Sequence, residues 1–143
     1  MILSTWQFWA LIAAIFAALT AIFSKIGIHG IHSDFATFIR TLVIIAALCL
    51  FLTITNQWQN TASISLKSWV FLILSGLATG VSWLAYFRAL QLGEASRVAP
   101  IDKLSVIFVA LFGVTFLGEK LSLLNWLGVF LIGSGVILLS IKI

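Results

Sequence analysis

The ionisable side chains that could bind a charged solute are concentrated in one short stretch, YFRALQLGEASRVAPIDKL at residues 86–104. The 143-residue chain has eight Lys and Arg and four Asp and Glu residues, and five of these fall there. They are Arg88, Glu94, Arg97, Asp102 and Lys103. Arginines attract anionic groups and carboxylates attract cations. Long apolar runs flank the stretch on both sides. What these groups can bind therefore depends on how the flanking apolar segments fold and position them.

The composition excludes a soluble globular domain. The chain is 62% hydrophobic and 8% charged, with a mean hydropathy of +1.22, whereas soluble domains average about 25% charged residues. A soluble domain of this size buries only ~70% of its surface, so it could not hide this much apolar area. The net charge of +4 comes from basic residues scattered singly, which is typical of membrane topology rather than of nucleic-acid binding.

Five apolar segments are long enough to cross a bilayer, which takes about 20 residues of helix. They lie at about residues 5–24, 35–54, 68–92, 98–117 and 123–141. We therefore predict an all-α integral membrane bundle of five transmembrane helices, forming a single domain over residues 1–143. Ser33 or Asp34 is expected to cap the second span, and Ser122 the fifth. Pro100 would lie in the first turn of the fourth span, where its missing N–H costs least.

An odd number of spans places the two ends of the chain on opposite sides of the membrane. The side of the N-terminus collects five tryptophans, typical of an interfacial aromatic belt, at Trp6, Trp9, Trp58, Trp69 and Trp126. The other side collects six basic residues against two, or three against two when only loops and tails are counted. The six are Lys25, Arg40, Arg88, Arg97, Lys103 and Lys142. The positive-inside rule then predicts an external N-terminus and a cytoplasmic C-terminus.

Four of the spans bring ionisable groups to a similar depth on this basic side. Lys25 lies at the end of the first span, Arg40 ~7 Å along the second, Arg88 near the end of the third, and Asp102 near the start of the fourth. Arginines near helix ends can simply extend to the headgroups. The shorter Asp102 is expected either to pair with Arg40, Arg88 or Lys103 or to edge a functional cavity. Asp102 is also the one candidate for proton coupling, and simple antiport through a central carboxylate is not supported.

Small, polar and aromatic side chains recur at helical spacing along the third span. This stripe consists of Gly76, Thr79, Gly80, Trp83 and Tyr86. It suits the wall of a substrate cavity, and the alternative is a packed aromatic core. On the fifth span, Gly128 and Gly135 share one face, which could serve packing within the bundle or contact with another chain.

The residue patterns do not indicate an enzyme or a metal protein. His29 and His32 are too few for a convincing metal site, and the motifs of serine hydrolases, phosphate-binding loops and zinc proteases are missing. Cys49 stands in an apolar run, where a free cysteine is usually a small, inert hydrophobe. We therefore predict no catalytic residue, no metal and no cofactor.

The order of motifs over residues 76–135 resembles the EamA-type domain of the drug/metabolite transporter superfamily. The matching parts are YFRALQLGEASRVAP, then LFGVTFLGEKLS, then NWLGVFLIGSGV. Phe38 and Arg40 are similar to the arginine region of that family's second helix. The four-helix multidrug exporters of the superfamily use a glutamate in their first helix. The first span here has none, so the resemblance does not extend to their mechanism.

The resemblance also carries an implication about assembly. Most members of the family have two such domains in tandem, which gives ten helices in an inverted repeat. A chain with one domain is then expected to form a homodimer, or a heterodimer with a similar short chain. Five helices alone enclose a path poorly, and inverted repeats place the substrate between halves.

These observations predict an inner-membrane transporter protomer that moves a small polar or amphipathic metabolite by alternating access, as a dimer. The expected partners are the lipid bilayer, a small-molecule substrate and a second short chain, without nucleic acid. The arginines would attract an anionic group, the aromatic rings would stack, and the aspartate would hold an arginine or bind a cation. The candidate substrate-binding residues are Arg40, Trp83, Tyr86, Arg88 and Asp102. The competing hypothesis is a non-transporting membrane subunit, such as a scaffold or regulator of a larger complex.

Overall fold

The computed structural model describes residues 5–141, so Lys142, one of the basic residues counted for the topology, lies outside the described part. Within that part there are six α-helices, a short 3-10 turn at Thr61–Ser63 and no β-strand. The helices are α1 (Trp6–Gly27), α2 (Ser33–Ile54), α3 (Leu66–Leu92), α4 (Ala95–Asp102), α5 (Ser105–Phe116) and α6 (Leu123–Ser140).

Five segments of the described chain are long and apolar enough to cross a membrane, and α4 and α5 together form the fourth. Most of their Leu, Ile and Phe side chains are exposed, as expected for helices whose solvent is lipid. The predicted all-α membrane class with five spans is confirmed. The chain divides into two compact units, one containing residues up to Phe23 and from Leu92 onward, the other Ser24–Gln91.

The fourth span is broken, which the sequence analysis did not predict. Helix α4 begins at Ala95, so Pro100 lies in its second turn and not in its first. Proline lacks an N–H, and its ring crowds the carbonyl four residues earlier, which disfavours a regular helix. The backbone then tightens to three-residue hydrogen bonds: Lys103 N–H donates to the Pro100 carbonyl at 2.9 Å, and Leu104 N–H to the Ile101 carbonyl at 3.0 Å.

Helix α5 ends where the LGEKL motif turns the chain. Gly118 has a φ of +69°, a left-handed conformation that glycine adopts without cost after a helix. The Leu117 and Glu119 N–H groups both donate to the Gly113 carbonyl, at 3.1 and 3.0 Å. The motif therefore has a local structural role in this chain.

The predicted cap of α6 is also confirmed, because the Ser122 hydroxyl accepts from the Asn125 N–H at 3.2 Å.

Helices α5 and α6 pack closely at a glycine. A Cβ atom at Gly133 would lie 2.9 Å from Ile107 Cδ1, so the small residue is what allows this approach. Gly133 and Val136 are buried. By contrast, a Cβ at Gly128 or Gly135 would meet nothing within 4 Å. Among the described residues, no side chain therefore packs against a Cβ position at Gly128 or Gly135, and the alternative, contact with another chain, stays a prediction.

The start of α2 differs from the prediction. The N-cap is His32, whose Nδ1 accepts from the Asp34 N–H at 3.4 Å. Ser33 and Asp34 lie inside the helix, so neither caps it as predicted. The Asp34 carboxylate instead contacts the Arg88 side chain of α3. The start of α3 is capped by Ser65, whose hydroxyl accepts from the Ser68 N–H at 3.1 Å.

Candidate functional site

A bidentate ion pair joins the first turn of α2 to the last turns of α3. Arg88 Nε donates to Asp34 Oδ1 at 3.1 Å, and Arg88 Nη2 donates to Asp34 Oδ2 at 2.7 Å. The Ser33 hydroxyl also donates to Asp34 Oδ1, at 3.3 Å. Two parallel N–H···O bonds of this kind fix orientation as well as distance. The pair therefore fixes the relative orientation of these two helix ends.

Two further hydrogen bonds fasten the end of α3 to the chain ahead of α2. Lys25 Nζ donates to the Leu90 carbonyl at 2.6 Å, and Gln91 Nε2 donates to the Ile31 carbonyl at 2.9 Å. The last carbonyls of a helix lack partners within it and carry partial negative charge, so a lysine there is favourable.

The same end of this unit holds its packed core. Leu90 is fully buried, and Ile28, Thr37 and Phe87 are nearly so. The Thr37 hydroxyl is satisfied within the helix by donating to the Ser33 carbonyl at 2.9 Å. Along the rest of α2 and α3, the structure records no buried residue. The two helices are therefore joined firmly at one end.

Beyond the joined end, a groove of about 620 Å³ opens between α2 and α3. The two backbones do not pack as closely as those of α5 and α6, which leaves this space. The walls are mainly apolar, with several hydroxyl groups and one carboxylate. From α2 they comprise Asp34, Thr37, Phe38, Thr41 and Ile44, and from α3 Leu72, Ser75, Gly76, Thr79, Gly80, Trp83 and Leu84.

Arg40 is held beside this groove by aromatic rings. Its guanidinium carbon lies 4.2 Å from the centroid of Trp83 and 5.4 Å from that of Phe87. The three ion pairs among residues 5–141 are Arg88–Asp34, Arg97–Glu94 and Lys103–Asp102, and Arg40 belongs to none of them. Ring faces stabilise a cation by roughly 0.5–2 kcal/mol. Arg40 is thus a half-buried cation whose charge is offset by ring faces and not by a carboxylate.

The predicted site residues divide between the two units. Arg40 and Trp83 are in contact, and Arg88 lies little more than one turn further along α3. Tyr86 is half-buried on α3 but does not line the groove. Asp102 belongs to the other unit, where its carboxylate accepts from Lys103 Nζ at 3.0 Å. Lys103 was one of its three expected partners. That these five residues bind one substrate stays a prediction.

The predicted stripe on α3 lines the groove in large part. Gly76, Thr79, Gly80 and Trp83 are all groove residues. Asp34 also lines the groove, whereas the sequence pattern indicates it only as a helix cap. A signal for it existed, since the predicted topology puts Asp34 and Arg88 on the same side of the membrane. Their separation of 54 residues meant that only the fold could pair them.

A smaller groove of about 320 Å³ lies between α5 and α6. Its walls carry a serine hydroxyl and an indole but no ionisable side chain. They comprise Ile107, Trp126, Val129, Phe130, Gly133, Ser134 and Ile137. This second groove therefore lacks the charged groups that make the α2–α3 groove a candidate site.

Several known proteins are similar to this chain in sequence. An uncharacterized transporter in the cobO 3' region of Sinorhizobium sp is 61% identical over 137 residues, covering 96% of this chain and 97% of that protein. The uncharacterized transporter YxxF of Bacillus subtilis is 26% identical over 94% of this chain but only 42% of its own length. A probable 4-amino-4-deoxy-L-arabinose-phosphoundecaprenol flippase subunit ArnE from Hamiltonella defensa is 32% identical over 60% of this chain and 76% of that protein.

No solved structure matches the chain. The family model of the EamA-like transporter family matches residues 4–141, which is nearly the whole chain. The chain therefore belongs to the EamA-like transporter family.

Proposed function

We propose that this chain is one protomer of a transporter that moves a small polar or amphipathic metabolite across the inner membrane by alternating access. The family assignment and the relatives named as transporters support membrane transport. The observation that carries the proposal is the α2–α3 groove. It combines open, mainly apolar walls with an arginine–aromatic contact and an ion pair at its joined end. Pockets that bind small solutes combine apolar walls with a few polar groups in this way.

The five predicted site residues have separate roles in this proposal. Arg40, which lacks a carboxylate partner among the described residues, attracts an anionic group of the substrate. Trp83 and Tyr86 offer ring faces, and Arg88 adds a second guanidinium at the groove's joined end. Asp102 binds a cation or orients an arginine. Charged residues at membrane depth are costly unless they pair or line a wet cavity, which supports a functional reason for Arg40.

A dimer that rebuilds a ten-helix inverted repeat is the proposed working form. The chain aligns with 42% of the length of YxxF, as a one-domain chain would with a two-domain relative. The flippase relative is named as a subunit, which supports pairing of short chains. Inverted repeats place the substrate at the interface between halves. We further propose an external N-terminus and a cytoplasmic C-terminus, on the basis of the basic-residue distribution.

The test is a flux assay on purified full-length protein reconstituted into lipid vesicles, with a panel of radiolabelled carboxylates, phosphates, amino acids and sugars. Chemical cross-linking in the same vesicles reports the oligomer. Saturable flux of at least one solute, with cross-linked dimers, is the expected result. If no solute moves and the chain instead co-purifies with an unrelated membrane enzyme, the transporter proposal is wrong. The competing hypothesis of a non-transporting subunit would then hold.

A further inference from the structure

We infer that Asp34 occupies the oxyanion-binding edge of Arg88, and that an oxyanion of the substrate, a carboxylate or a phosphate, takes this position by displacing Asp34. Asp34 is then a specificity-determining residue that competes with the substrate for one arginine. The inference rests on the proposed function for its substrate and on the α2–α3 groove for its location.

The geometry of the pair matches that of a bound oxyanion. The Nε and Nη2 atoms of Arg88 face the two oxygens of Asp34 at 3.1 and 2.7 Å. This edge of a guanidinium presents two parallel donors, and carboxylates and phosphates bind it through two oxygens. An incoming oxyanion would find the same two donors in the same plane. Asp34 thus holds the place of such a ligand within the chain.

The pair is accessible enough to be exchanged. The Arg88 side chain is 62% exposed and the Asp34 side chain 34% exposed, and Asp34 lines the groove. Exposed ion pairs contribute little net free energy, so a second anion can compete with them. A neutral solute has no charge with which to replace the aspartate.

Displacement of Asp34 would also change how α2 is held against α3. Asp34 and Arg88 tie α2 to α3, together with the Lys25–Leu90 and Gln91–Ile31 hydrogen bonds. A ligand on Arg88 would remove the ionic tie while leaving the two hydrogen bonds to backbone carbonyls in place. Binding would therefore loosen the start of α2 while the end of α3 stays attached to the end of α1 and to the loop ahead of α2. Substrate occupancy is in this way coupled to the freedom of one helix.

The experiment measures binding of benzoate, phenyl phosphate and neutral benzamide to purified full-length protein in detergent micelles by calorimetry. Removing the internal competitor with Asp34→Asn should tighten binding of at least one anion about two- to fivefold, because displacing an exposed ion pair costs little. Benzamide binding should not change. Arg88→Gln should abolish the gain in the Asp34→Asn background. The two anions tell a carboxylate site from a phosphate site.

Glu94→Gln is the matched variant, because it removes one negative charge from another exposed ion pair, Glu94–Arg97 at 3.2 Å. Equal tightening by Glu94→Gln would mean a general charge effect and would overturn the inference. Unchanged, weaker or undetectable anion binding by Asp34→Asn would overturn it as well. Asp34→Ser serves as a second variant if Asp34→Asn is not monodisperse in detergent, and the same outcomes apply to it.

This experiment is independent of transport. Tighter anion binding by Asp34→Asn in a protein that moves no solute would leave the exchange standing and remove the proposed function. Saturable flux in vesicles with no gain of affinity in Asp34→Asn would overturn the exchange and leave the proposed function standing.

Discussion

The α5–α6 pair and the α2–α3 pair are both antiparallel neighbours in sequence, but they are held together by different forces. Helix α6 meets α5 at a glycine, where the Ile107 side chain packs against Gly133, so dispersion provides the contact. Helices α2 and α3 are joined by an ion pair and a packed core at one end, and they leave a groove along the rest. The first arrangement suits a scaffold, and the second suits a site.

The two helix pairs differ because an apolar solvent such as lipid does not drive apolar helices together. Lipid tails are as apolar as leucine, so close packing of small residues is needed to hold apolar helices together. A polar link needs no such fit, because long side chains such as that of Arg88 span the gap between the backbones, and the ion pair requires contact only between the side-chain ends. Helices joined by a polar link can therefore stand apart elsewhere and leave space for a solute. The comparison predicts that substitutions affect the two pairs in different ways.

The largest effect is expected from Arg40→Gln. If Arg40 binds an anionic group of the substrate, loss of its charge should lower flux about tenfold or more, since hydrogen bonds to charged groups contribute roughly 1.5–3 kcal/mol. Arg97→Gln is the matched variant, because Arg97 already pairs with Glu94 outside the α2–α3 unit. Flux is measured in vesicles and divided by the amount of inserted protein. An equal loss of inserted protein would assign Arg40 a structural role and break the comparison.

Gly133→Leu should destabilise the α5–α6 pair. The new side chain would collide with Ile107, whose Cδ1 already lies within 2.9 Å of a Cβ at this position, and overpacking costs about 1–3 kcal/mol. Gly128→Leu, with open space around the Cβ, should cost less. Unfolding in detergent reports both. Equal losses would show that α6 does not depend on close packing at Gly133, and Gly133→Leu with Ile107→Ala should recover part of the loss.

Ser122→Ala should cost about 1 kcal/mol, because the cap of α6 loses the acceptor for the Asn125 N–H. Ser65→Ala should cost about the same for α3, whose first turn Ser65 caps through the Ser68 N–H. Thermal unfolding in the same detergent measures the two variants side by side. Similar losses would mean that capping stabilises the helices of both regions equally. The difference between the two helix pairs would then come from the contacts between helices.

The smallest effect is expected from comparing Trp83→Leu with Trp126→Leu. Both remove an indole that lines a groove, but only Trp83 has a cation over its ring among the described residues. Trp83→Leu should therefore cost about 0.5–1 kcal/mol more than Trp126→Leu. Unfolding free energies in detergent give the difference. A difference near zero would mean that the Arg40–Trp83 contact adds nothing to stability, and binding would remain its role.

Much of the fold could be predicted because lipid acts on composition and length alone. Five apolar segments of about 20 residues specify five spans, and Ser122 was found as a cap from its type and position. The break after α4 was not predicted. A proline near a helix start is usually harmless, and the hydropathy of the segment does not mark the end of α4 at Asp102.

The candidate site was predicted in part. The α3 stripe follows from helical periodicity, and Gly76, Thr79, Gly80 and Trp83 do line one groove. The partner of Arg88 could not be read from spacing. Asp102 lay closer in sequence, but the structure pairs Arg88 with Asp34 across 54 residues. Short side chains such as aspartate pair only where backbones bring them within a few ångströms, and the hydropathy pattern carries no such distances.

The amino-acid sequence by itself determined that this chain is a membrane protein and how many times it can cross the bilayer. It also identified the few charged residues within the spans, which need a partner or a polar cavity. Those properties depend on each segment separately. Tertiary structure alone decided that Arg88 holds Asp34, that Arg40 lies over Trp83, and that α2 and α3 part to form a groove. These depend on distances between helices, and such distances are set by side-chain packing across the whole unit.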